Sequence, residues 1–266
     1  MNAAPLGVFD SGIGGLTVVR ALGERLPEES VIYFGDTARV PYGPKSPDTV
    51  RRYSEEILAY LLGRGVKAVV VACNTSTAHA LAHLQARAPV PVVGVVEPGA
   101  RAAVAASRTG AIGVIGTAGT IASGAYERAI AALRPGAVVR ARACPLFVPL
   151  VEEGWFEHPA TDLVAREYLA PLRRAGIDVL VLGCTHYPLL KPLLARVMGP
   201  EVTLIDSAAE TAREVERMLD RHGLRAPAGS RAAHRFVVSD DEPHFRRLGS
   251  VFLGDGVREV EVVRLG

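Results

Sequence analysis

Short runs of β-branched and aliphatic residues recur along the chain, each followed by a stretch with helical spacing. This alternation is the pattern of parallel strands joined by crossover helices, and it leaves few other folds open. Strands are expected at Leu6–Phe9, Val31–Phe34, Val66–Ala72, Val90–Val96, Ala111–Ile115, Val138–Ala143, Ile177–Leu182 and Val202–Ile205. Several are nearly continuous apolar runs, as strands covered on both faces should be. Between them, Pro47–Leu62 places Val50, Tyr53, Ile57, Leu58 and Leu61 at three- and four-residue spacing, with Ser46 or Asp48 to cap the helix. Thr161–Ala175 is also helical, with a kink or early stop expected at Pro171.

Beyond Asp206 a helix near Ala208–Arg221 leads into the polar, Gly- and Pro-containing stretch His222–Ala233. Short strands are expected at His234–Val238, Val251–Leu253 and Glu259–Val263, completing the sheet of the first half.

The two halves resemble each other. Lys67–Thr75 (KAVVVACNT) matches Asp178–His186 (DVLVLGCTH) at an offset of 111 residues, each a buried run ending in Cys. Gly7–Gly12 matches Gly113–Ala118 at an offset of 106 residues. A duplicated layout explains both matches; the alternative is that strand-to-helix turns look alike. The expected fold class is α/β: two similar α/β domains with mostly parallel sheets, related by a pseudo-two-fold axis, with the site in the interdomain cleft. The expected division is residues 1–97 plus 208–266 for the first domain and 98–207 for the second.

Composition removes several functions. At 49% hydrophobic residues and mean hydropathy +0.22, a disordered chain is excluded. Thirty basic and 28 acidic residues are scattered, without the concentrated basic face that nucleic-acid binding shows, so no nucleic-acid partner is expected. No run approaches the ~20 apolar residues of a membrane span, and Met1–Asp10 carries no basic region followed by an apolar one. A cytoplasmic protein with no membrane partner is the expectation. The three cysteines, Cys73, Cys144 and Cys184, are too few and too widely spaced for a disulfide framework or a zinc site. No metal is expected.

Ligands of open α/β sheets bind beyond the carboxyl ends of the strands. Asp10–Gly15, Pro41-Tyr42-Gly43, Cys73–Thr77 and Cys184–Tyr187 all fall at such ends. A thiol at a strand end, where a helix begins, meets unpaired N–H groups that stabilise its thiolate. The alternative for either cysteine is an inert core thiol. Two thiols at matching positions suit stereoinversion at carbon: one thiolate takes a proton from one face while a thiol returns one to the other. Asp10–Gly15 lacks the Gly-Lys-Ser/Thr ending of a phosphate loop, so its glycines are expected to admit a small anion, with Asp10 directed into the cleft. His186, two residues after Cys184, is placed to exchange protons with that thiol. Glu152 is expected to point inward, Glu153 outward, and Cys144 to fill core.

Four runs, Gly7–Leu16 (GVFDSGIGGL), Tyr33–Ser46 (YFGDTARVPYGPKS), Val71–Ala78 (VACNTSTA) and Leu182–Leu189 (LGCTHYPL), closely resemble the glutamate racemases. The resemblance extends from about Leu6 to Ser207. It implies a cofactor-independent racemase of two α/β domains that makes D-glutamate for peptidoglycan, commonly as a homodimer. By motif it implies that Cys73 and Cys184 are catalytic acid–base residues, with Asp10, His186 and Glu152 as helpers. It further implies that Asp10, Ser11, Tyr42, Gly43, Asn74, Thr75, Thr185 and His186 hold the glutamate. A related racemase acting on aspartate, and a two-lobed protein that only binds its ligand, are the competing readings.

Overall fold

The computed structural model describes residues 2–254, 257 and 259–265, so the outermost ends of the expected division, 1 and 266, lie outside the described residues. Among the described residues ten strands form two sheets: β1 (Leu6–Asp10), β2 (Val31–Gly35), β3 (Ala68–Val71), β4 (Val92–Gly94), β5 (Ala111–Gly116), β6 (Val138–Ala143), β7 (Val179–Gly183), β8 (Thr203–Asp206), β9 (His234–Val238) and β10 (Val260–Val262). The first sheet runs β10-β9-β2-β1-β3-β4 and the second β6-β5-β7-β8. Every described pairing is parallel.

The internal repeat reappears as topology. β2-β1-β3-β4 and β6-β5-β7-β8 have the same strand order, with β1 and β5 central in each quartet. Cys73 follows β3 and Cys184 follows β7, so the two thiols occupy equivalent places in the two lobes. The chain returns to the first lobe through β9, whose residues pair with β2 from His234↔Val31 to Val238↔Gly35.

Burial explains the strands. β1, β2, β3 and β7 are buried at every residue, because helices cover both faces of each sheet. One apolar cluster joins Leu16, Val19 and Val70 of the first lobe to Leu182, Tyr187 and Val215, so the lobes share a core. Two further clusters fill the outer faces, one around Phe9, Phe34 and Ile57 and one around Val114, Tyr126 and Val181. The crossing helices Val96–Ala106 and Ser207–His222 pack side by side between the lobes, tied by Arg101 to Glu214 at 2.6 Å.

Local chemistry sets the helix ends. Ser46 caps Pro47–Gly63 by accepting from the Thr49 N–H at 3.3 Å, and Pro47 occupies the first turn, where its missing N–H costs nothing. Pro171 neither stops nor shortens its helix, Pro159–Arg174, which runs on through Arg174.

Two expectations fail. Val251–Leu253 is not a strand but the end of the helix Glu242–Leu253. Asp241 caps that helix, and Phe245, Leu248, Gly249 and Phe252 bury one face at helical spacing, which the apolar run Val251-Phe252-Leu253 concealed. The run Val90–Val96 holds only a three-residue strand, because a helix already begins at Val96.

Candidate active site

Cys73 is the N-cap of the helix Asn74–Gln85. Its Sγ accepts from the Ser76 N–H at 3.4 Å and lies 3.7 Å from Ser11 Oγ. Burial, seconded by the Asp10 carboxylate, pushes this thiol up to about 11, so it holds its proton at neutral pH. Hydrogen bonds from Ser76 and Ser11 oppose that shift without cancelling it.

Cys184 sits in different company. Its Sγ faces His186 Nδ1 at 3.9 Å, and the other ring nitrogen of His186 meets Glu152 Oε1 at 3.0 Å. Burial alone would lower the His186 pKa. The hydrogen bonds and charges of Cys184 and Glu152 outweigh it and raise the imidazole to about 10. One thiol therefore keeps its proton beside a carboxylate, and the other lies against an imidazolium.

A small cavity of about 30 Å³ lies between them. Ser11, Tyr42, Gly43, Asn74, Thr75, Thr185 and His186 line it together with both cysteines, so the structure brings these expected residues to one place. Asp10 is not in the lining. It is fully buried behind the wall, where Oδ2 accepts from the Gly12 N–H at 3.0 Å and Oδ1 from Thr185 Oγ1 at 3.4 Å. Burial raises its pKa, against the pull of His186 and the backbone N–H groups. Glu152 is likewise outside this lining and reaches the site through His186, while Glu153 is exposed.

The glycines after Asp10 have another reason than the expected approach of an anion. A Cβ on Gly14 would stand 2.3 Å from Thr185 Oγ1 and 2.5 Å from His186 Nδ1. On Gly15 it would stand 2.5 Å from the Cβ of Asp10. Gly14 is bare because the second lobe meets it there, and Gly15 because Asp10 and Tyr33 of its own lobe crowd it.

Pro41 also lines the cavity, and three further lining residues were not singled out in the sequence: Val40, Thr117 and Val148. For Thr117 a signal was present, since the repeat sets Gly116-Thr117 against Asp10-Ser11. Its hydroxyl meets Thr75 Oγ1 at 2.9 Å across the lobes, and the Gly119 N–H donates to the Gly43 carbonyl at 2.8 Å. Cys144 is buried, with its thiol pushed up to about 12 chiefly by burial, and lies outside the cavity lining. Among the described residues, no cluster of three or more His, Cys, Asp or Glu is placed to hold a metal ion, and no helix is long and apolar enough to cross a membrane.

Paired α/β lobes of matching strand order, with one thiol each at a shared cavity, define a racemase-type fold. Residues 16–215 match the model of the Asp/Glu/hydantoin racemase family. A glutamate racemase of Geobacter metallireducens is 54% identical over 260 residues, covering 98% of this chain and 96% of the relative. A crystal structure of a glutamate racemase isoform of Bacillus anthracis superimposes with a TM-score of 0.96 at 40% identity, covering 100% of this chain and 99% of that one. A Francisella tularensis glutamate racemase in complex with D-glutamate gives 0.93 at 38% identity, again covering 100% and 99%. The chain belongs to the Asp/Glu/hydantoin racemase family, within its glutamate racemase branch.

Proposed function

We propose that the protein interconverts L- and D-glutamate by two-base proton transfer at the α-carbon, without a cofactor. The supporting observation is the contrast between the thiols: Cys73 and Cys184 lie at equivalent strand ends on one cavity, with opposite electrostatic surroundings.

In one direction Cys184 acts as a thiolate, its charge offset by the His186 imidazolium, and removes the α-proton. Cys73, still protonated, delivers its own proton to the opposite face. The C–H bond broken on one side is replaced on the other, and the thiols exchange protonation states. The reverse direction begins from that exchanged pair. Asp10 and Glu152 act as helpers from behind the cavity wall, Asp10 on Cys73 and Glu152 through His186. Ser11, Tyr42, Gly43, Asn74, Thr75, Thr185 and His186 hold the glutamate, because hydroxyls, an amide and strand-end N–H groups can pair with carboxylates and an ammonium.

The relatives favour glutamate over aspartate as substrate. D-glutamate made by the enzyme supplies peptidoglycan synthesis in the cytoplasm, and the working unit is a homodimer. The test is racemisation of L- and D-glutamate, without added pyridoxal phosphate, by wild type, Cys73→Ser and Cys184→Ser. Both variants should lose racemisation; either one turning over at the wild-type rate would overturn the two-thiol scheme.

A further inference from the structure

Asn74 opens the helix that Cys73 caps, lines the cavity and is 2% exposed. Its Oδ1 accepts a hydrogen bond at 2.8 Å from the hydroxyl of Tyr126, a residue of the other lobe. Its Nδ2 is buried and has no protein partner. A buried amide donor without an acceptor is costly, so an acceptor is expected when the site is filled.

Tyr126 is held as firmly as any side chain in the molecule. It is 1% exposed and belongs to the apolar cluster of the second lobe. A Cβ on Gly183 would stand 3.0 Å from its ring, and one on Gly99 3.2 Å from its hydroxyl, so both glycines make room for it. Ser207, at the start of the second crossing helix, lies close by across Gly99. Burial keeps the phenol protonated, and its hydrogen goes to Asn74 Oδ1, since an amide oxygen can only accept. That bond fixes the amide oxygen toward Tyr126 and leaves Nδ2 without a protein acceptor.

We infer that Tyr126 is a positioning residue for substrate recognition: its hydrogen bond across the lobes orients the Asn74 amide so that Nδ2 donates to a carboxylate oxygen of the bound amino acid. The Tyr126–Asn74 bond joins the second lobe to the first. Without the phenol hydroxyl the amide is free to turn its carbonyl toward the ligand, and a carboxylate repels a carbonyl.

The inference rests on the glutamate reading, which wild-type racemisation of glutamate tests separately. Tyr126→Phe keeps the ring and removes only the hydroxyl. Its KM for glutamate, and its Kd for D-glutamate by calorimetry, should rise about tenfold, while kcat changes by less than about threefold. In an Asn74→Ala background the same substitution should change Kd by less than about twofold, because the amide it orients is gone. A Tyr126→Phe variant with unchanged KM and Kd would overturn the inference. So would an equal loss in both backgrounds, which is the mark of a merely structural tyrosine.

Discussion

His186 bridges Cys184 and Glu152, with Nδ1 at 3.9 Å from the sulfur and Nε2 at 3.0 Å from the carboxylate. The imidazole is 3% exposed, yet it holds a proton more firmly than in water, because both neighbours carry or develop negative charge. The proton on His186 is thus supplied by its partners and not by its burial.

Removing one partner should be visible as a pH effect. In the folded protein the His186 pKa lies near 10, against 6.5 for the ordinary group. The stabilisation is complete below about 6.5 and is lost as pH rises through 10. The thermal midpoint of the wild type should therefore decline across that window, and Glu152→Gln should flatten the decline. The alkaline limb of kcat against pH should also move to lower pH in Glu152→Gln. An unmoved limb would show that Glu152 does not set the His186 charge.

Isotope placement separates two bases from one. In D2O, the product enantiomer should carry deuterium at the α-carbon from the first turnovers, because the delivered proton comes from a solvent-exchanged thiol. Recovered substrate should remain largely protonated over the same interval. Mass spectrometry after separating the enantiomers reads both. Little deuterium in either enantiomer, or equal early deuterium in both, would point to a single base that returns its own proton or first exchanges it with solvent.

Gly14→Ala should cripple the site without touching a thiol. The added methyl would overlap Thr185 Oγ1 and His186 Nδ1, and moving them would pull them off Asp10 and Glu152. A loss of at least about 1–3 kcal/mol is expected from such overpacking, with kcat/KM down by roughly tenfold or more. Steady-state kinetics together with a urea titration will show how the loss divides between stability and catalysis.

Cys144 provides the control. It is as buried as the other two cysteines but lies outside the cavity, beside Tyr187, whose hydroxyl donates to its carbonyl at 2.8 Å. Cys144→Ala should racemise glutamate within about twofold of wild type and lose roughly 1 kcal/mol of stability from the vacated volume. Inactivation at this position would mean that the division between core and site thiols is wrong.

Much of this architecture is legible in the chain because burial writes itself into composition. Strands covered on both faces, such as Ala68–Val71 and Val179–Gly183, must be apolar throughout, and their Cys endings stand out against that background. Glu242–Leu253 was hidden because its inward face is carried by two Phe, a Leu and a Gly, with the β-branched and aliphatic run at its end imitating a strand. Val40, Val148 and Tyr126 carried no signal at all. An apolar residue that lines a cavity is composed like one that fills a core, and only tertiary placement separates them. Asp10 shows the converse: its motif marked it, but the sequence could not say that it works from behind the wall.

The matching strand orders of the two lobes have a consequence for handedness. Both lobes are made of L-residues, so a rotation can relate them but a reflection cannot. The substrates, however, are mirror images. A rotated pair of lobes can offer one sulfur to each face of a flattened α-carbon, but it cannot offer mirror-image surroundings to the other three substituents. The inequality of Cys73, beside Ser11 and Asp10, and Cys184, beside His186 and Glu152, is therefore built into any enzyme that meets both hands of a molecule with a body of only one.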